Sequence, residues 1–303
     1  MNHFINEPKP SHFGGDWSQQ KLSVLSKYLS AYTTVLKKQN FSLIYIDAFA
    51  GAGKLDIPSE HSLDSQSLLI EQEERDEQEQ YRHGSPLMAL ATTPSFDKFI
   101  FIDKNEQSLQ NLCDEITRQN HAEKSVNYLV GDANEEIEKI CDKVDWKSHR
   151  AVAFLDPFAT EVEWRTIETI AETQAVDLWL LFPAMAVNRM MTTTGEVPAQ
   201  WQEKLTRCFG TDAWKQVFYK PNTQQRLFDG ASNRKVMRPF EVLSGFVNDR
   251  LNSIFPGVGK RNLILKNSKN SPLFLLCFAC SNPNPKALGL ALKIANHIID
   301  TSS

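Results

Sequence analysis

Between residues 41 and 183 five apolar runs of strand length recur, and a segment with helical spacing follows the second, third and fourth. The runs are "FSLIYID" (41 to 47), "FDKFIFID" (96 to 103), "SVNYLVGD" (125 to 132), "RAVAFLDPF" (150 to 158) and "AVDLWLLFP" (175 to 183). The first is almost continuously apolar, the pattern of a strand buried on both faces of a parallel sheet. Helices are predicted from Asn105, near 134 to 143, and over "EVEWRTIETIAETQ". Such alternation predicts right-handed βαβ units and a parallel sheet covered on both faces. Ligands of these sheets bind outside the carboxyl ends of the strands.

Around this core the chain reads as one large domain. "WSQQKLSVLSKYLSAYTTVLKK" predicts a leading helix within residues 1 to 40, with Leu22, Leu25, Leu29 and Tyr32 on one face and Ser18 as its N-cap. A ligand-binding core over 41 to 183 would be followed by an inserted cap or subdomain at 184 to 237, where "TTTGEVPAQ" and "PNTQQRLFDGASNRK" break the alternation. Residues 238 to 303 would complete the core with a helix, a closing hairpin (262 to 266 and 272 to 280) and a last helix. Residues 54 to 83 read as an insertion whose acidic stretch "EQEERDEQE" is a solvated charged segment or, alternatively, a lid.

Composition narrows the setting. No apolar run is long enough for a membrane helix, and the first residues lack the basic and apolar regions of a signal peptide. Five dispersed cysteines predict a reduced, cytoplasmic protein. Cys277 and Cys280 form a CxxC without a second pair; their odd separation in a strand points them to opposite faces, so buried core thiols are expected and no metal site. Residues 201 to 270 hold 13 Lys and Arg against 5 Asp and Glu in a chain of net charge −4. That basic sector is either an anion-binding face, nucleic acid included, or a solvated one.

The loop "DAFAGAGKL" after the first strand excludes two ligands. A phosphate-cradling P-loop needs GxxxxGK and a hydroxyl residue, whereas Ala48 and Leu55 stand at those places. A dinucleotide fingerprint needs GxGxxG running into a helix. S-adenosylmethionine suits the loop better. In D-x-F-x-G-x-G, Asp47 faces the ammonium group, and Phe49, Gly51 and Gly53 shape a loop whose backbone approaches the amino-acid tail. Asp103, ending the second strand, is placed for the ribose hydroxyls, and Asp132, after the third, for the adenine amine. Each acid alone is equally a turn residue or helix N-cap; three in order on consecutive strands are harder to assign to chance.

The fourth strand ends in Asp156-Pro157-Phe158, where amino-methylating enzymes of nucleic acids carry D/N-P-P-Y/F. A carboxylate and a backbone carbonyl there orient an exocyclic amine, and an aromatic ring stacks on the extruded base. One proline of that motif is missing here. The alternative is a strand-to-helix turn with a buried Phe158 and an ordinary polar strand end at Asp156.

"YIDAFAGAG", "GSPLMAL", "FLDPF" and "AVDLWLLFP" together resemble the three-Cys-motif partner family (TcmP), and "WSQQKLSVLSKYL" resembles that family's leading W-S/T-x-x-K-L helix. The resemblance covers residues 12 to 185 and, loosely, "PLFLLCFACSNP". It implies a Rossmann-like class I methyltransferase fold and a bacterial setting beside a three-cysteine-motif protein of iron–sulfur type. The expected fold is therefore α/β: a mostly parallel seven-stranded sheet with an antiparallel final strand. The expected activity is S-adenosylmethionine-dependent methylation of a nucleic-acid base amine. The alternatives are an accessory partner that keeps the fold without the chemistry, and a small-molecule or protein methyltransferase. His12 and Lys21 belong to the family-like leader. Lys21 is expected on the surface, or against an anionic group if that helix packs over the cofactor mouth. His83 is expected at the surface or lining the pocket, and Ser85 as a helix cap. Arg189, Arg234, Lys235 and Arg238 are candidates for phosphate contact.

Overall fold

The computed structural model describes residues 16–51, 84–221, 233–235 and 239–302. Gly53, His12, His83, Arg238 and the acidic stretch at 71–79 lie outside the described residues. In chain order the first half comprises α1 (Asp16–Leu36), β1 (Ser42–Asp47), α2 (Gly84–Leu90), β2 (Lys98–Asp103), α3 (Glu106–Arg118), β3 (Val126–Val130), α4 (Ala133–Lys143) and β4 (His149–Leu155). Then come α5 (Trp164–Glu172), β5 (Val176–Phe182), α6 (Ala184–Met190), α7 (Ala199–Phe209), α8 (Trp214–Phe218), β6 (Tyr219–Pro221) and β7 (Asn233–Lys235). The chain closes with α9 (Pro239–Asn252), β8 (Gly257–Val258), β9 (Leu263–Lys266), β10 (Pro272–Cys280) and α10 (Pro285–Ser302).

The central sheet runs β3-β2-β1-β4-β5-β10-β8, with β9 also paired to β10. The first five strands in that order are mutually parallel, and β10 is antiparallel to β5, β8 and β9. This is the Rossmann-like, mostly parallel architecture expected, with its antiparallel final strand. All seven expected strands are present, and the two-residue β8 adds an eighth on the outer edge of β10. The chain leaves β1 toward β2 on one side and reaches β4 on the other, so the strand order reverses between β1 and β4. A crevice at that switch point is the usual ligand site of an open α/β sheet.

Strand periodicity divides the interior in two. Ile44, Ile46, Ile100, Ala153 and Leu178 face a core closed by α4, α5, α7 and α9. Leu43, Tyr45, Phe99, Phe154 and Trp179 face a second core closed by α1, α3 and α10. Cys277 lies in the first and Cys280 in the second, as their odd spacing requires. Residues of the segment after β5 join the first core: Phe209 of α7 stacks on Phe182 of β5, ring centroids 5.7 Å apart.

Helix α1 departs from the expected face. Leu25, Leu29 and Tyr32 are buried, but Leu22 is only half-buried. The buried stripe instead runs through Trp17, Lys21, Val24 and Tyr28. Ser18 is not the N-cap: the helix already begins at Asp16, and the buried Ser18 hydroxyl has no partner.

Candidate functional site at the strand tips

Two parallel strands, β1 and β2, end in the acids Asp47 and Asp103, and β3 and β4 are followed within two residues by Asp132 and Asp156, because each feeds a turn at the carboxyl edge of the sheet. Beyond Asp47 the backbone continues between its neighbours: Ala48 N–H donates to Phe154 O of β4 at 3.1 Å, and Ala50 N–H to Ile102 O of β2 at 2.9 Å. The loop thus lies in the plane of the sheet, across the switch point. Gly51 N–H donates to Asp103 Oδ2 at 3.1 Å. A Cβ at Gly51 would stand 2.6 Å from Ser108 Cβ and 3.1 Å from Asp103 Cγ, so only glycine lets the loop approach this closely. Asp103 Oδ1 accepts from Asn105 N–H at 2.7 Å, while Asn105 itself caps α3.

Asp47 is completely buried. It accepts from Tyr45 Oη at 3.1 Å and from Phe49 N–H at 3.4 Å. Ser85 also hydrogen-bonds it, so this serine, inside α2, is a partner of Asp47 and not a helix cap. Burial, opposed by the Ser85 hydroxyl and reinforced by the negative charge of Asp156, raises the Asp47 carboxyl to about 7.

Asp156, just beyond β4, is 3% exposed. Its Oδ2 lies 2.6 Å from Lys21 Nζ, and both side chains are buried. The ammonium also sits over the Trp17 and Phe154 rings, 5.4 and 5.9 Å from their centroids. The surface position expected for Lys21 is corrected: the first turns of α1 pack at this end of the sheet and bury the lysine in a specific pair. Its spacing held the signal, because Lys21 follows Trp17 by four and precedes Val24, Leu25 and Tyr28 by three, four and seven. Asp156 is likewise no ordinary polar strand end. Its Oδ1 is buried without a partner, an arrangement that costs about 1–3 kcal/mol unless a ligand supplies a donor.

Pro157 is buried and Phe158 half-buried. The Phe158 N–H donates to Glu161 Oε2 at 3.2 Å, which fixes the turn. Asp132 lies one strand outward. Gly131 N–H donates to Asp103 O at 3.0 Å, tying the two strand tips together. The Asp132 carboxylate caps α4 through Asn134 N–H at 2.8 Å and pairs with Lys104 at 2.9 Å. Burial would raise its carboxyl, but the Lys104 hydrogen bond and the Asn134 N–H outweigh that and hold it below the usual range.

The fold therefore brings Lys21, Asp47, Phe49, Gly51, Asp103, Asp156 and Pro157 to one edge, with Asp132 beside them. Arg189 is half-buried on α6, which follows directly on the carboxyl end of β5, whereas Arg234 and Lys235 lie on β7, which among the described residues pairs with β6 in a separate two-stranded sheet. Ser85 and Tyr45, which complete the surroundings of Asp47, carried no sequence signal for that role. Among the described residues no cluster of His, Cys, Asp or Glu could hold a metal ion, and no helix is long and apolar enough to cross a membrane.

No family model and no curated protein matches the chain. Among solved structures it is similar to a DUF519 protein of Legionella pneumophila, at 17% identity over 80% of this chain and 94% of that one, with a TM-score of 0.38. It is also similar to the N-terminal domain of EvdMO1 with SAH bound, at 9% identity over 84% and 80% with a TM-score of 0.35. A third is a SAM-dependent methyltransferase from Methanosarcina mazei, at 12% identity over 81% and 96% with a TM-score of 0.28.

Proposed function

We propose that the chain is an S-adenosylmethionine-dependent methyltransferase acting on an amine, with a nucleic-acid base as acceptor. The observation that carries the reading is the pair of buried acids at the switch point. Asp47, raised to about 7, is relieved by a cation, and the ammonium of an amino-acid tail is one. Asp156 Oδ1 is relieved by a donor, and an amine N–H is one. These two requirements, beside a glycine loop and a strand-end carboxylate at Asp103, fit the amino-acid and ribose parts of the cofactor. Asp132, with both oxygens engaged, fits the adenine amine only through its remaining lone pairs.

The cofactor supplies a methyl group carried on a sulfonium. The protein supplies position and dryness. Lys21 grips Oδ2 of Asp156 and so aims Oδ1 at the acceptor. The buried Pro157 holds the turn and its carbonyl is the second acceptor for the amine, while the half-buried Phe158 offers a ring for stacking. The basic residues of 201 to 270, with Arg189, are the candidate phosphate contacts.

One observation favours a second reading. With α1 in place Asp156 is sealed, as an accessory partner of a three-cysteine-motif protein would keep it. Calorimetric titration with S-adenosylmethionine and its demethylated product, with NADH as control, tests the ligand; binding of NADH instead overturns the assignment. Transfer of labelled methyl to mixed DNA and RNA tests the reaction. Asp156→Ala should abolish transfer and keep cofactor binding, whereas unchanged biological activity in that variant supports the accessory role.

A further inference from the structure

At the opposite end of the sheet lies a cavity of about 440 Å³, within the range that holds small organic ligands. It is walled by the second half of α1, the first half of α10 and the amino ends of β4 and β5, a full strand length from the crevice. Tyr28, Tyr32, Leu36, Phe41 and Ile294 make its lining mostly apolar, and Leu290, 41% exposed, marks its mouth.

The polar groups are few and uneven in sign. Asp177 is the acid that lines the cavity: Tyr28 Oη donates to it at 2.5 Å, the Cys280 thiol also serves it, and the Arg150 charge acts on it from beyond ion-pair distance. The Arg150 guanidinium lies 3.9 Å from the centroid of the Phe41 ring. Its Nη1 donates to two neutral acceptors, Trp146 O and His149 O, each at 2.6 Å. Lys286, at the start of α10, is exposed at the rim. Among the described residues neither cation lies within ion-pair distance of a carboxylate. A stacked, pre-oriented arginine is suited to a carboxylate, for which its planar fork is the matching partner.

We propose that this cavity is a second binding site, for a small organic acid with an apolar, aromatic body. The ring lies among Tyr28, Tyr32 and Phe41, and the carboxylate meets Arg150 and Lys286. An amine of the same shape would meet two cations. A zwitterion would have to bring its ammonium to Asp177, which is buried, already accepts from Tyr28 Oη and lies under the influence of the Arg150 charge. The site does not depend on the methyltransferase reading, because it shares no residue with the crevice.

Phenylacetate, phenethylamine and phenylalanine form a shape-matched set of probes for calorimetry and ligand-observed NMR on the full chain. Phenylacetate should bind at millimolar concentration and the other two should not. Arg150→Gln should weaken binding about tenfold, the loss of one charged hydrogen-bonding partner. Lys286→Gln, on the surface, should weaken it severalfold, and Ala291→Phe should abolish it by filling the cavity. S-adenosylmethionine titrations of the Lys286 variant should match the parent protein. Absence of phenylacetate binding, equal binding of phenethylamine, or indifference to both Lys286→Gln and Ala291→Phe would overturn the proposal.

Discussion

Lowering the pH from 7 to 6 should weaken S-adenosylmethionine binding about fivefold, through one carboxyl group. Asp47 is completely buried, and desolvation with the nearby Asp156 charge raises it to about 7. The ligand's ammonium needs the ionised form. That form is about half of the population at pH 7 and about a tenth at pH 6. The competent fraction scales apparent affinity, so about 1 kcal/mol is lost over that unit and about tenfold for each unit further down. Working below pH 7 keeps the ligand's own amine, with an ordinary value near 7.7–8.0, protonated throughout. Calorimetry in two buffers of different ionisation heat should show close to one proton released on binding at pH 6, and about half that at pH 7. Asp47→Asn should bind weakly at every pH and show no proton release. Affinity of the parent protein that stays flat between pH 7 and 5, or an Asn variant that binds as tightly, would refute the reasoning.

The same group has the opposite effect on stability. Its folded value lies above the unfolded 3.8, so its contribution is fullest below that value and is lost as pH rises toward about 7. Thermal unfolding of ligand-free Asp47→Asn should therefore exceed the parent at pH 8 by up to about 4 kcal/mol, with the difference vanishing near pH 4. Lys21→Met leaves Asp156 charged, buried and unpaired, and should cost about 3–5 kcal/mol in urea unfolding. Asp156→Leu added to it should restore much of that; a single variant as stable as the parent would deny the pair its structural role. Gly51→Ala forces a Cβ to within 2.6 Å of Ser108, and should cost about 1–3 kcal/mol and most of the cofactor affinity, read by melting with and without ligand.

Legibility followed sequence distance. The seven expected strands were readable because their apolar runs are local, and the structure begins β1 at Ser42 and ends it at Asp47, within one residue of the expected 41 to 47; the two- and three-residue β6, β7 and β8 carry no such run. The acids at the tips were readable for the same reason: a strand that ends in a turn announces itself. Their functional and capping roles were not separable from spacing alone. Asp132 caps a helix and Asp156 does not, and the difference lies in Lys21, 135 residues away in the chain.

Periodicity alone thus specifies an alternating α/β chain, the opposite faces of Cys277 and Cys280, and a row of carboxylates along one edge. Tertiary packing decides which of those carboxylates are dry. It buries Lys21 against Asp156, raises Asp47 by removing its water, and leaves a cavity where α1 and α10 diverge over the far end of the sheet. Side-chain direction repeats every two or 3.6 residues and is written locally, whereas desolvation depends on every neighbour that displaces water, and those neighbours are distant in the chain.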